Sequence, residues 1–480
     1  MMKRLSWILL PALLLAASCR EKTLLPERGY TQDNEKRYAN LFACNTMGAY
    51  YLWSDEISSA LKNWQVGEDP IAKVESLRYK DAYGNLVDQW TELMDDYTPF
   101  ASTVSGNGKT FGMDFVLYYT DATKTQVSAV VTFTYADSPA RKAGLKRGDV
   151  ILTFDGQSLN ADNYASILSE KVFDNATTLR LGLKDGRTLS MTAVSMYSNP
   201  VHVVKTLPYG GKTFGYLHFT GFTQEAAIDL VEACRQFKAE GIDELILDLR
   251  YNTGGYANTS AVLASMIAPL SAVKAGAVFN KAIYNKNLSE VMDEDECFAE
   301  SFTIAFDSGK KTLRPGDANM DLAHVWAITT GHSASASEAL ICGLKPYIDV
   351  TLVGSRTYGK FCGGYLIKAS DWYEALEDAD DVPFDASQGK KYTAKWGIYV
   401  IASRYADCNG VTLSMPSGIP ADYEVDDDPR DGYELGDPSE TMLAKVLSVA
   451  TGSVLAVSKA AEGTPEEVPF TKPGYGALLW

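Results

Sequence analysis

One stretch, Gly331 to Lys360, constrains this 480-residue chain more than any other. It opens G-H-S-A-S-A-S-E and closes S-R-T-Y-G-K. The apolar run His324–Thr329 before it is rich in β-formers and predicts a buried strand. Past the serines, Ala336, Ala339, Leu340, Gly343 and Leu344 recur at helical spacing, and Pro346 should end that helix. Val350–Gly354 predicts a second strand. The serines therefore occupy a strand-to-helix turn, where the first N–H groups lack an intrahelical acceptor. A nucleophile and an anion-stabilising hole can share such a turn.

A serine hydroxyl needs a base to become nucleophilic. The chain has four histidines, His202, His218, His324 and His332. His332 lies three residues before Ser335 on the same turn, an awkward position from which to reach its proton. There is no G-x-S-x-G elbow. The other base open to serine is a lysine kept neutral by burial. Lys360 fits, because it follows a strand and a glycine in a run with no other base. A Ser-His arrangement using His332 or His324 stays open as a competing reading.

G-H-S-A-S-A-S-E followed by T-Y-G-K resembles the carboxyl-terminal processing proteases, serine peptidases of the S41 type. In that family the nucleophile is the middle serine, here Ser335. The lysine base lies 25 positions later, here Lys360. D-L-R-Y-N-T-G-G, from Asp248 to Gly255, resembles a second family loop. Its glycines let the backbone approach a reacting carbonyl. The resemblance implies an oxyanion hole from Ala336 and one of the pair Gly254 and Gly255, with Asp248 and Arg250 fixing the loop. It implies no metal and no organic cofactor. Many members carry Gln four residues after the lysine, where this chain has Gly364. Tyr358 and Phe361 flank Lys360 and could bury it, and Ser337, Glu338 or Tyr365 could orient it.

A net charge of −17 without a basic cluster speaks against nucleic acid partners and against attraction to anionic membranes. The N-terminus reads as a targeting segment, with Lys3 and Arg4 ahead of the apolar run Ile8–Ala17. L-A-A-S-C then resembles a bacterial lipoprotein box, which implies lipidation of Cys19. The expected location is the bacterial cell envelope, with membrane contact through that lipid alone. The other six cysteines are scattered, contain no C-x-x-C, and are expected to be free thiols.

The stretch A-D-S-P-A-R-K-A-G-L-K-R-G-D-V-I-L-T-F-D-G, Ala136–Gly156, resembles a PDZ domain of the type inside processing proteases. Strand-like runs at 112–119, 127–133, 150–154, 177–183 and 187–193, and a helix at 163–168, would complete it. Its peptide-binding loop would include Phe111, Gly112 and Met113, with Asp114 placing a negative charge beside it. Strands and helices alternate from Thr213 onward, which argues for an α/β layer. Residues 268–322 look less regular, and 391–404 and 410–415 look like strands. The expected organisation is multidomain α/β. A signal peptide (1–18) and tether (19–32) precede an N-terminal helical domain (33–107) and a PDZ-like β domain (108–197). An α/β Ser-Lys peptidase core (198–451) and a loosely held tail (452–480) follow. The expected activity is endopeptidase cleavage of polypeptides, with a non-catalytic peptide-binding lipoprotein as the alternative.

Overall fold

Four parallel strands, Lys212–Phe219, Glu244–Asp248, His324–Thr329 and Asp349–Gly354, make the middle of a six-stranded sheet. Val201–Tyr209 adds antiparallel at one edge and Tyr423–Glu424 parallel at the other. Alternate residues along these strands face opposite sides of the sheet. Leu217, Leu245, Leu247, Val325, Ala327 and Leu352 face helices Ala226–Glu240, Ala257–Ile267 and Ala336–Leu344. Phe214, Tyr216, Ile246, Trp326, Ile328 and Val353 face helix Thr441–Thr451. Both faces are covered, so apolar residues point to both sides along the strands' central residues, as a parallel sheet requires. This computed structural model describes residues 34–173, 176–306, 309–377, 382–453 and 466–469. Cys19 and the targeting segment lie outside the described residues.

A second sheet packs beside the first. Its long strand Gly397–Asp407 pairs with Glu92–Met94, Val278–Tyr284 and Cys362–Lys368. The mostly helical N-terminal segment does not close a core alone. Helix Asn34–Tyr50 and Trp64, Trp90 and Phe100 bury against Trp372, Tyr373, Ile398 and Val400. The segment is thereby bound to strands some 300 residues later in the chain. The region 268–322, read as irregular, supplies two strands of this sheet and a hairpin, Phe302–Phe306 with Gly309–Leu313.

The six-stranded PDZ sheet runs Met113–Tyr119, Val127–Thr134, Val150–Phe154, Thr178–Leu183 and Thr188–Thr192, with the short strand Gln157–Ser158 paired to Val150–Phe154. Each of the first five lies within a residue or so of its sequence expectation. Two later expectations fail. Asp385 caps a helix over Ala386–Tyr392, accepting from Gln388 N–H at 3.1 Å, so the expected strand starts only at Gly397. Residues 410–415 find no neighbouring strand and remain irregular. The six described cysteines are free thiols. Among the described residues no helix is long and apolar enough to cross a membrane.

Candidate active site

The two motif loops leave the sheet side by side, because strands Glu244–Asp248 and His324–Thr329 are parallel neighbours with Asp248 opposite Ile328. Ligand sites in such sheets form at the carboxyl ends of the strands. The first loop is held by a buried ion network. Arg250 is fully buried and donates to Asp248, Asp427 and Glu440, with Nη1 to Glu440 Oε1 at 2.6 Å. Arg147 of the PDZ domain reaches the same Asp427 at 3.0 Å and the Tyr251 hydroxyl at 2.8 Å.

The serine run now reads as three different jobs. Ser333 Oγ donates to Leu249 O at 2.8 Å, and Ser337 Oγ donates to Asn252 O at 3.0 Å. The outer serines thus tie the turn to the first loop. Ser335, between them, caps helix Ala336–Leu344 with φ +55° and ψ −114°. That left-handed backbone costs a non-glycine residue on the order of 1–3 kcal/mol, and such strain gathers at functional sites. Its side chain lies beside the half-buried Tyr405, whose hydroxyl it reaches.

Glu338 joins Ser335 to Lys360. Its Oε2 accepts from Ser335 N–H at 3.0 Å and from Lys360 N–H at 2.9 Å. Its Oε1 accepts from Gly359 N–H at 2.7 Å and from the Thr357 hydroxyl. One buried carboxylate therefore fixes the lysine segment to the Ser335 turn. Burial pushes the Glu338 carboxyl up to about 7 while these four donors pull it down.

Lys360 is 1% exposed, and burial lowers its ammonium to about 8. Its Nζ lies 5.1 Å from the Trp90 ring centre and 5.4 Å from that of Tyr399. The rings exclude water, although their faces also attract the charged form and so limit the fall. Sequence reasoning assigned this burial to Tyr358 and Phe361. Phe361 is buried nearby, but the Tyr358 hydroxyl turns to Gln89 at 3.1 Å. Tyr399 also explains Gly364. A Cβ there would meet Val400 O at 2.6 Å and the Tyr399 ring at 2.8 Å, so no side chain fits. The other two orienting candidates are engaged elsewhere, Ser337 with Asn252 and Tyr365 with the Tyr284 hydroxyl.

The glycines separate in role. Gly254 stands against Ser335: a Cβ there would lie 2.7 Å from Ser335 Cβ and 3.1 Å from Ala336 N. Its N–H donates to Asn252 Oδ1 at 2.9 Å. A Cβ on Gly255 would instead strike Phe222 O at 2.5 Å. Ala336 is the first residue of its helix, so its N–H has no acceptor within the helix. Gly254→Ala combines this collision with φ +109°. We expect it to move Ser335 and lower turnover by at least about 100-fold, as roughly 1 Å misplacement can. Kinetics beside thermal unfolding would check this.

Each histidine has a partner other than Ser335. His324 bonds Glu244 and Thr351, His332 Nε2 lies 2.8 Å from Glu467, and His202 pairs with His218. Phe111 and Met113, but not Gly112, line a cavity of about 520 Å³ that Thr253, Gly254 and Gly255 also line. The Gly112 N–H is taken by Thr110 Oγ1 at 3.0 Å, and Asp114 accepts from the Thr132 hydroxyl at 3.1 Å. No cluster of three or more His, Cys, Asp or Glu able to hold a metal occurs among the described residues.

Residues 213–425 match the model of peptidase family S41, and residues 130–174 match a PDZ domain model. The carboxyl-terminal-processing protease of Synechocystis sp. is 29% identical over 243 residues, covering 49% of this chain and 50% of that protein. A Staphylococcus aureus protein named "Probable CtpA-like serine protease" is 24% identical over 329 residues, covering 66% of this chain and 61% of that protein. The chain thus spans about half to three fifths of the length of these curated relatives. A crystal structure of a Bacteroides fragilis chain assigned as an S41 protease shares the fold. The TM-score is 0.63 at 21% identity, covering 89% of this chain and 99% of that one.

Proposed function

We propose, from the membership of this chain in peptidase family S41, that it cleaves internal peptide bonds by acyl transfer with a Ser-Lys dyad. Neutral Lys360 takes the proton from Ser335 Oγ, and Ser335 attacks the scissile carbonyl carbon. The N–H groups of Ala336 and of Gly254 or Gly255 receive the oxyanion, each donor being worth roughly 3–4 kcal/mol. A donor role for Gly254 requires its N–H to leave Asn252. Lys360 then gives its proton to the leaving amine, and water releases the acyl group. The observation carrying this reading is the Glu338 carboxylate, which seats Ser335 and a buried, pKa-lowered Lys360 on one anchor.

The substrates we propose are exported polypeptides, reached from a lipid anchor at Cys19 in the bacterial cell envelope. We place the incoming chain in the cavity of about 520 Å³ lined by Phe111, Met113 and Gly254, the glycine that stands against Ser335. A peptide binder without turnover is the second reading, favoured by the Gly254 N–H being held by Asn252. The test compares wild type, Ser335→Ala and Lys360→Ala on an unfolded protein. Loss of cleavage in both variants supports the dyad. Equal, undetectable cleavage in all three supports the binder, and loss only on changing His332 or His324 supports a Ser-His hydrolase.

A further inference from the structure

Strand Met113–Tyr119 is the outer strand of the PDZ sheet, with Val127–Thr134 on its inner side. Its outer side is occupied by the chain's own residues 466–469. These run antiparallel to it, with Glu467 opposite Tyr118. Tyr119 N–H donates to Glu466 O at 3.0 Å, and Val468 N–H donates to Leu117 O at 2.8 Å. The Val468 side chain is 1% exposed and joins the PDZ core alongside Ile167 and Leu168. On the helix side of the cleft, the Tyr164 hydroxyl donates to Pro469 O at 3.0 Å. The segment therefore lies between an edge strand and helix Tyr164–Leu168, bonded through its backbone and anchored by one apolar side chain. Peptides that extend a sheet bind in this way.

Charge sets the register. The Glu466 carboxylate reaches Lys124, with Oε1 2.7 Å from Nζ. Glu467 leaves the PDZ domain altogether, placing Oε1 2.8 Å from His332 Nε2 on the turn that carries Ser335. The occupied cleft is thus fastened directly to the nucleophile turn.

We propose that this cleft is a strand-binding site whose resident ligand is Glu466–Pro469 of the same chain. An external peptide carrying an acidic pair before a small apolar residue has to displace it, and displacement also releases His332. The inference does not require the chain to cleave anything. A ligand joined by a short linker acts at an effective concentration on the order of 1 mM, so an equal external peptide competes at a disadvantage of roughly tenfold or more.

The test uses the full chain carrying Ser335→Ala, which removes turnover from the readout. Binding of a fluorescein-labelled peptide of residues 463–471 is followed by polarisation, with and without Val468→Arg. We expect at least about tenfold tighter binding when Val468→Arg evicts the tail. Hydrogen exchange at Tyr119 N–H should rise by at least about tenfold and be restored by added peptide. Exchange at Val131, whose N–H donates to Asp149 O at 3.0 Å, should not change. Val468→Ser takes the place of Val468→Arg if Val131 also loosens. Equal affinity in the two proteins, including no binding to either, overturns the proposal, as does unchanged exchange at Tyr119.

Discussion

Lys360→Met lowers kcat/KM on an unfolded protein by about 10³-fold, within the range a general base supplies, and leaves the fold intact. Methionine keeps most of the buried volume between Trp90 and Tyr399 and removes only the amine. The wild-type pH profile carries the matching signature. In the proposed dyad the neutral amine is the active form, so kcat/KM should climb about tenfold per pH unit toward a plateau above about 8. Stability also rises with pH for this residue. Its folded pKa lies below the unfolded value, so the unfolded chain binds the extra proton between about 8 and 10.5. Wild-type stability therefore falls as pH drops across that window, by about 3 kcal/mol at most, and the loss is complete below it. At pH 7 Lys360→Met should unfold at a higher temperature than wild type. Calorimetry at pH 7 and pH 10 would show the difference shrinking at the higher pH.

Glu338→Ala should be the most damaging single change to the fold of the site. The carboxylate accepts three backbone N–H groups and the Thr357 hydroxyl, and it is itself fully buried. Each orphaned buried donor costs about 1–3 kcal/mol, so a loss on the order of 4 kcal/mol or more follows. The lysine segment also loses its tie to the Ser335 turn, and cleavage should fall below detection. Glu338→Gln keeps one acceptor oxygen but turns an amide N–H₂ toward two of the donors, so it should recover only part of the stability. Denaturant unfolding of both variants with wild type would check the order wild type, Gln, Ala.

How much of this was legible in the sequence depends on distance along the chain. Ser335, the helix after it and Lys360 lie within one strand–helix–strand unit, so residue type and spacing placed them. The PDZ strands showed because apolar and polar residues alternate between Gly and Asp turns. Glu338 was noticed as one of three candidates, but only geometry shows it holding four donors. Trp90 and Tyr399 were not legible as partners of Lys360. Trp90 lies 270 positions upstream of it, and the contact exists because Glu92–Met94 joins the strand that carries Tyr399. Tyr405 reaches Ser335 by the same strand. The glycine at 364 looked like a missing side chain, whereas Tyr399 fills its place. The segment around Glu466 looked loose, because acidic residues and Pro469 suit neither a helix nor an inner strand. An edge strand with an open side accepts both.

The central claim is that a neutral Lys360 activates Ser335. The most direct measurement is the rate at which a fluorophosphonate acylates the chain as a function of pH, with the modified residue identified by peptide mass. The account predicts phosphonylation at Ser335, with a rate rising through a midpoint near 8 and falling by about 10³-fold in Lys360→Met. Modification at another residue, or an unchanged rate in Lys360→Met, would contradict it.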